Sequence, residues 1–160
     1  DLINDIKALS DGNALEVVSG YSDAMICLMH MQGEPQSMQN NPIYTKSVET
    51  TIKDFLTERI SQCGQMGIAS ERIIIDPGFG FGKTFEDNWR LYQEINTLVD
   101  MNYPVLIGLS RKSMLKNLVG TDTKFLDEAS AFFAKQLLSQ GARIIRTHNV
   151  TVTKKYLEGH

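Results

Sequence analysis

The sequence predicts an α/β fold built on a parallel sheet, and three observations carry that prediction. Five short runs are apolar on both faces, amphipathic stretches of helical period lie between them, and polar residues follow each run at its C-terminal end. Runs without a polar face are what parallel strands covered by helices look like. Repeated strand–helix units give a parallel sheet that is either open or closed into a barrel.

Leu2 to Ile6 is the first candidate strand, Ala24 to Met29 (AMICLM) the second and Arg72 to Ile75 (RIII) the third. Val105 to Leu109 (VLIGL) is the fourth and Ala142 to Ile145 (ARII) the fifth. Ahead of the third strand, Ile52, Phe55, Leu56, Ile60 and Cys63 recur at helical spacing, with Gly67 as the stop. Leu91, Ile95, Leu98 and Val99 mark another helix, and Phe133, Leu137 and Leu138 a third, ended by Gly141. The chain shows no repeat, no low-complexity segment and no linker, so residues 1–160 read as one domain.

The bulk properties exclude several classes. The 160 residues are 42% hydrophobic and 22% charged with a formal net charge of −3, which is ordinary globular composition with enough apolar material for one core. Lys and Arg are scattered, leaving no electrostatic footprint for nucleic acid. No apolar stretch approaches the roughly 18 residues of a membrane span, and the acidic start DLINDIK is not a signal peptide. Cys27 and Cys63 lie in different expected elements and form no C-x-x-C pair, which points to a reducing, cytoplasmic setting. The start has no initiator Met and opens inside a candidate strand, so the native protein is expected to extend upstream.

The residues after the strands carry the chemistry. They are Asn4-Asp5, His30-Met31-Gln32, Asp76, Ser110-Arg111-Lys112 and Arg146-Thr147-His148-Asn149. C-terminal strand ends are where barrels and open α/β sheets place their sites, and five in succession favour a site fed by several strands.

After the third strand comes IIIDPGFGFGKT, residues 73–84, a near miss for two nucleotide motifs. Gly82-Lys83-Thr84 fits the end of a phosphate loop, but Pro77 stands where its first glycine belongs, and Lys83 stands where a dinucleotide fingerprint needs its third glycine. Asp76 either caps a turn or accepts hydrogen bonds from a ligand edge with two adjacent N–H groups, such as a 2-amino-pyrimidinone, with Asn4 adding a donor and an acceptor. Ser110-Arg111-Lys112-Ser113 is a solvated basic turn or an anion site at the start of a helix near Met114. Arg146 and His148 alternate on the last strand, on one side of it, as a phosphate-binding pair or as a surface Arg and a helix-capping His. His30, alone at its strand end, reads as a structural hydrogen-bonder. Met29, Phe79 and Phe81 either wall an aromatic ligand or pack the sheet. Glu34 to Tyr44 reads as a loop shaping the mouth. There is no nucleophile elbow, no Cys–His pairing, no metal-ligand spacing and no close carboxylate pair.

Together these residues resemble dihydropteroate synthase, an enzyme family of the folate pathway. The matching signatures are Ile3-Asn4-Asp5, Met29-His30-Met31-Gln32-Gly33, Asp76 to Lys83 (DPGFGFGK), Ser110-Arg111-Lys112-Ser113 and Arg146-Thr147-His148, in the family's order and from end to end of the chain. The resemblance implies a (β/α)8 TIM barrel, of which this chain supplies the C-terminal five strand–helix units, from about the fourth strand to the eighth. It implies condensation of 6-hydroxymethyl-7,8-dihydropterin diphosphate with p-aminobenzoate to give 7,8-dihydropteroate and pyrophosphate. By the same resemblance Asn4 and Asp76 bind the pterin with Lys112 against it, while Met29, Gly80 and Phe81 line the pockets. Arg111 and Ser113 flank the p-aminobenzoate carboxylate, and Arg146 and His148 hold the departing pyrophosphate. Asp76, Lys112, Arg146 and His148 are thus the expected catalytic set. Mg2+ is implied, its protein ligand lying upstream of this chain, and so is a homodimer that is a sulfonamide target. Many relatives carry an acidic residue where this chain has Asn149. The alternatives weighed are a pterin-binding methyltransferase domain serving a corrinoid partner, a nucleotide-binding switch module, and an inactive fragment of the synthase.

Overall fold

The chain runs through short strands whose neighbours are all parallel, each followed by helix, in a computed structural model that describes residues 1–33 and 44–159. Among the described residues the strands and α-helices are β1 (Leu2–Asp5), α1 (Ala14–Ser19), β2 (Met25–Met29), α2 (Val48–Gln65), β3 (Ile73–Asp76), α3 (Phe85–Gln93) and α4 (Asn96–Val99), with a 3-10 turn at Ser70–Arg72 before β3. They continue as β4 (Leu106–Ile107), α5 (Ser113–Val119), α6 (Thr123–Ser139), β5 (Ile144–Ile145) and α7 (Val150–Glu158). The loop expected over Glu34 to Tyr44 lies almost wholly outside the described residues.

β1, β2 and β3 are hydrogen-bonded in that order, as are β4 and β5. A parallel bridge between Ile75 and Val105 joins the two sets, with the Ile75 N–H donating to the Pro104 carbonyl at 3.0 Å. The five strands therefore follow one another in chain order, as in part of the wall of a (β/α) barrel.

From β2 to β4 both faces of that wall are buried, which is why those runs lack a polar face. Ile26, Leu28, Ile73, Ile75, Val105 and Ile107 belong to a large core with helix residues such as Ile52, Leu56, Leu91, Leu115 and Leu137. The alternate residues Cys27, Ile74 and Leu106, with Met25 and Ile144, form a separate smaller cluster on the other face. The register pairs Leu2 with Met25 and Asn4 with Cys27, so Leu2 and Asn4 share that second face. There they are exposed, Leu2 to 43%.

Among the described residues side-chain caps open three of the helices, α3, α6 and α7. Thr84 caps α3 in a capping box, its hydroxyl accepting the Asp87 N–H at 3.1 Å while the Asp87 carboxylate accepts the Thr84 N–H at 3.0 Å. The single helix expected across Leu91 to Val99 is instead two, α3 and α4. Bonds of i→i+3 type, from the Thr97 N–H to the Glu94 carbonyl and from the Leu98 N–H to the Ile95 carbonyl, tighten the chain there and keep Ile95 and Leu98 buried. α1 and α7 have no counterpart among the expected elements, because each buries a single residue, Val18 or Thr153, and so carries no apolar stripe. Among the described residues no helix is long and apolar enough to cross a membrane.

Candidate active site

Asp76 ends β3 with no exposed surface, and the chain satisfies both of its oxygens. Oδ1 accepts the Gly78 N–H at 2.7 Å, and Oδ2 accepts from Nη2 of Arg146 at 3.2 Å. Burial raises the carboxyl above the ordinary aspartate range, opposed by the Gly78 N–H and then by Arg146, Lys112 and Lys83. Cys27 lies beneath. Burial, and then the nearby Asp76, push its thiol up to about 12, which leaves it inert.

The Pro77–Lys83 loop folds down on the end of β2. A side chain at Gly78 would stand 2.0 Å from the His30 carbonyl oxygen, at a φ of +68°, so glycine alone fits there. The Gly80 N–H donates to Oδ1 of Asn88 at 2.7 Å, and the Asn88 amide donates to the Lys83 and Thr84 carbonyls. Lys83 points inward. Its ammonium donates to the carbonyls of Gly78 (2.8 Å) and Phe81 (3.1 Å) and lies 3.1 Å from Nδ1 of His30. Three donors thus meet three acceptors, with His30 as the neutral imidazole. Burial first, and the Lys83 charge second, lower His30 to about 3, while burial brings Lys83 down to about 7. His30 is the structural hydrogen-bonder expected of it. Thr84 is a helix cap and Lys83 an internal fastener, so the resemblance to a phosphate loop is one of letters alone.

Lys112 crosses the same loop from the other side. Its stem lies over Gly80, its ammonium donates to the Phe79 carbonyl, and it stands 4.4 Å from the centre of the Phe81 ring. Burial lowers it to about 8, with Asp76 opposing and Arg146 assisting. Of the residues that either wall a ligand or pack the sheet, Phe79 and Met29 are fully buried, whereas Phe81 is half-buried beneath the Lys112 cation.

Arg146 and His148 do not share a strand face as expected. β5 ends at Ile145, although the Arg146 N–H still donates to the Ile107 carbonyl at 2.8 Å. The guanidinium crosses over Gly108, where a side chain would stand 2.4 Å from its Nη2, and so reaches Asp76. His148 instead faces Ser110, whose hydroxyl accepts the His148 N–H at 3.2 Å and lies 3.0 Å from its Nδ1.

Arg111, expected beside the p-aminobenzoate carboxylate, is engaged by a carboxylate of the chain itself. It makes a two-pronged pair with Asp127 of α6, Nε to Oδ1 at 2.7 Å and Nη2 to Oδ2 at 3.0 Å. Arg111's hydrogen bonds hold the Asp127 carboxyl below its ordinary range. Ser113, the first residue of α5, stays exposed. Asp76, Gly80, Phe81, Lys112 and Arg146 are brought together, while Asn4 is exposed on the strand face that carries Cys27. Sequence reasoning missed Asn88 and Asp127. Each carries a readable signal, because it falls on the buried stripe of its helix, Asn88 with Leu91 and Asp127 with Ser130, Ala134 and Leu137.

Among the described residues no three of His, Cys, Asp or Glu come together in a way that could hold a metal ion.

Against known proteins, the profile of a family described as pterin binding enzyme matches residues 1–148. The dihydropteroate synthase of Neisseria meningitidis serogroup C is 42% identical over 160 residues, covering 99% of this chain and 56% of that protein. The crystal structure of the Yersinia pestis dihydropteroate synthase with a sulfonamide drug complex superposes at a TM-score of 0.92 and 38% identity, covering 98% of this chain and 56% of the other. The Xanthomonas albilineans dihydropteroate synthase in complex with 7,8-dihydropteroate gives a TM-score of 0.88 at 34% identity, covering 98% and 58%. The chain thus spans somewhat more than half the length of the relatives it matches.

Proposed function

The chain belongs to the pterin-binding enzyme family, and on that premise we propose that it is the C-terminal part of a dihydropteroate synthase barrel, residues 1–160 forming one partial domain completed by strands upstream. The observation that carries this reading is the Asp76–Arg146 pair, a fully buried carboxylate hydrogen-bonded to a half-exposed guanidinium at the strand ends. A ligand with a hydrogen-bond-donating ring and an anionic tail matches both groups at once.

In the proposed reaction Asp76 and Asn4 bind the donor edge of the pterin. Met29 and Gly80 shape the floor, and Phe81 and Lys112 cover the ring. The bond between the pterin methylene and the diphosphate oxygen breaks, its electron pair leaving with pyrophosphate. Asp76 stabilises the positive charge that develops on the pterin, and Arg146 and His148 stabilise the leaving anion. The p-aminobenzoate nitrogen forms the new C–N bond and gives up a proton, a step that needs no strong base. With Arg111 engaged by Asp127, the p-aminobenzoate carboxylate falls to Ser113 at the start of α5. Mg2+ would assist the diphosphate from residues outside this chain.

We further propose a cytoplasmic homodimer, inhibited by sulfonamides. Phe125, Phe132 and Val119, exposed on α5 and α6, supply apolar surface that supports a dimer. The test is turnover by the full-length protein with both substrates, following dihydropteroate and pyrophosphate in equal amounts. Failure to form dihydropteroate, or methyl transfer to a corrinoid acceptor in its place, would overturn the reading. The 160 residues alone are expected to be inactive.

A further inference from the structure

Arg111 adopts a φ of +55°, a left-handed backbone that arginine rarely takes, at the start of the loop that aims Lys112 into the site. Three contacts hold it there. Its N–H donates to the Ser130 hydroxyl at 3.2 Å, and its guanidinium makes the two bonds to Asp127. Oδ2 of Asp127 also accepts from Nδ2 of Asn149 at 2.8 Å, while Oδ1 of Asn149 caps α7 by accepting the Val152 N–H at 3.1 Å. One buried carboxylate on α6 therefore grips two loops, the one after β4 that carries Lys112 and leads into Ser113 of α5, and the one after β5 that carries Arg146 and His148.

We propose that Asp127 is a positioning residue for the reaction assigned above: by holding Arg111 and Asn149 together it fixes the spacing between the cation over the pterin and the groups that receive pyrophosphate. This rests on the proposed function. The amide at 149 belongs to the same device, because Arg111 and Asn149 meet on a single oxygen, and a second carboxylate there would repel the first. The charge is also transposable. A carboxylate at 149 facing an amide at 127 presents Arg111 with one negative group from nearly the same place.

The test uses the full-length protein with Asp127→Asn, Asn149→Asp and the double variant Asp127→Asn/Asn149→Asp. Steady-state kinetics with both substrates are read beside thermal melting. In Asp127→Asn, kcat is expected to fall about tenfold or more, because a displacement of about 1 Å in a reacting group costs that much or more. Binding of 6-hydroxymethyl-7,8-dihydropterin, which rests on Asp76, should change less than about threefold. Asn149→Asp should lose kcat in the same way, and the double variant should recover most of it. A purely structural role would instead lower the melting temperature with kcat of the folded fraction intact, and a loss of kcat that the double variant fails to restore would show that the pair is not the device. Either result overturns the proposal. Should Asp127→Asn not fold, Arg111→Lys carries the test, since it keeps the charge pair with one bond fewer and the same loss of kcat is expected. No dihydropteroate from the unmodified protein would overturn the proposed function and this role with it. Normal turnover by Asp127→Asn beside an active parent would overturn the positioning role alone.

Discussion

Asp76 and Arg146 stand 70 residues apart in the chain, and their side chains meet at 3.2 Å. One partner is fully buried and the other is 41% exposed, so the pair has a fixed end and an open end. Under the proposed function, a ligand whose ring takes the Asp76 oxygen and whose phosphate takes the guanidinium divides the pair, leaving Asp76 with hydrogen-bond donors and Arg146 with an anion.

Asp76→Asn in the full-length protein should abolish dihydropteroate formation, with a loss of about 100-fold or more, because a neutral amide cannot stabilise the developing cation. The amide oxygen still accepts the Gly78 N–H, so the fold should persist. A thermal melt beside the activity assay checks both halves, and normal turnover would remove Asp76 from the mechanism.

Arg146→Ala should lower turnover to a similar extent and weaken inhibition by added pyrophosphate. Arg146→Lys keeps the charge without the two-pronged geometry and should fall between the two. Pyrophosphate competition, measured against the pterin diphosphate, separates these cases. Equal inhibition of all three proteins would place the anion site elsewhere.

Lys83→Met should destabilise the fold. It strips donors from the Gly78 and Phe81 carbonyls and from His30, each costing about 1–3 kcal/mol when left buried. Relief from burying the ammonium offsets part of this, for a net loss of about 3 kcal/mol. Urea titration of the parent and the variant measures it. A variant as stable as the parent would show that the loop holds its shape without this fastener.

Stability should fall in acid through His30. Its value is depressed to about 3 in the fold, against 6.5 for the ordinary side chain. The unfolded chain therefore binds a proton that the folded chain refuses between those limits, and stability is full above pH 6.5 and lost as pH drops toward 3. His30→Asn retains an acceptor for Lys83 and removes that titration. The difference in stability between parent and variant should shift with pH across this window. A constant difference would show that His30 protonates without penalty.

What could be read in the sequence follows from how local each signal is. Asp76, Lys112 and Arg146 were legible because each follows an apolar run, and strand ends are where such folds keep their chemistry. The glycines of residues 78–82 signalled close backbone approach, but no local pattern says that Lys83 turns inward, since that depends on His30 from another strand. The pairing of Arg111 with Asp127 was illegible for the same reason. Asp127 lies 16 residues on, in a helix whose pairing with the loop exists only after folding. The extent of β5 was overread because Arg146 keeps a ladder bond whereas His148 does not. The break between α3 and α4 arises from a tightened turn within an otherwise continuous apolar stripe.

The joint between β3 and β4 carries a mechanical consequence. Among the described residues a single bridge, Ile75 to Val105, ties the two sets of strands, and Asp76 and Arg146 lie on opposite sides of that seam. Their contact is a clasp across the line where the wall is most thinly stitched.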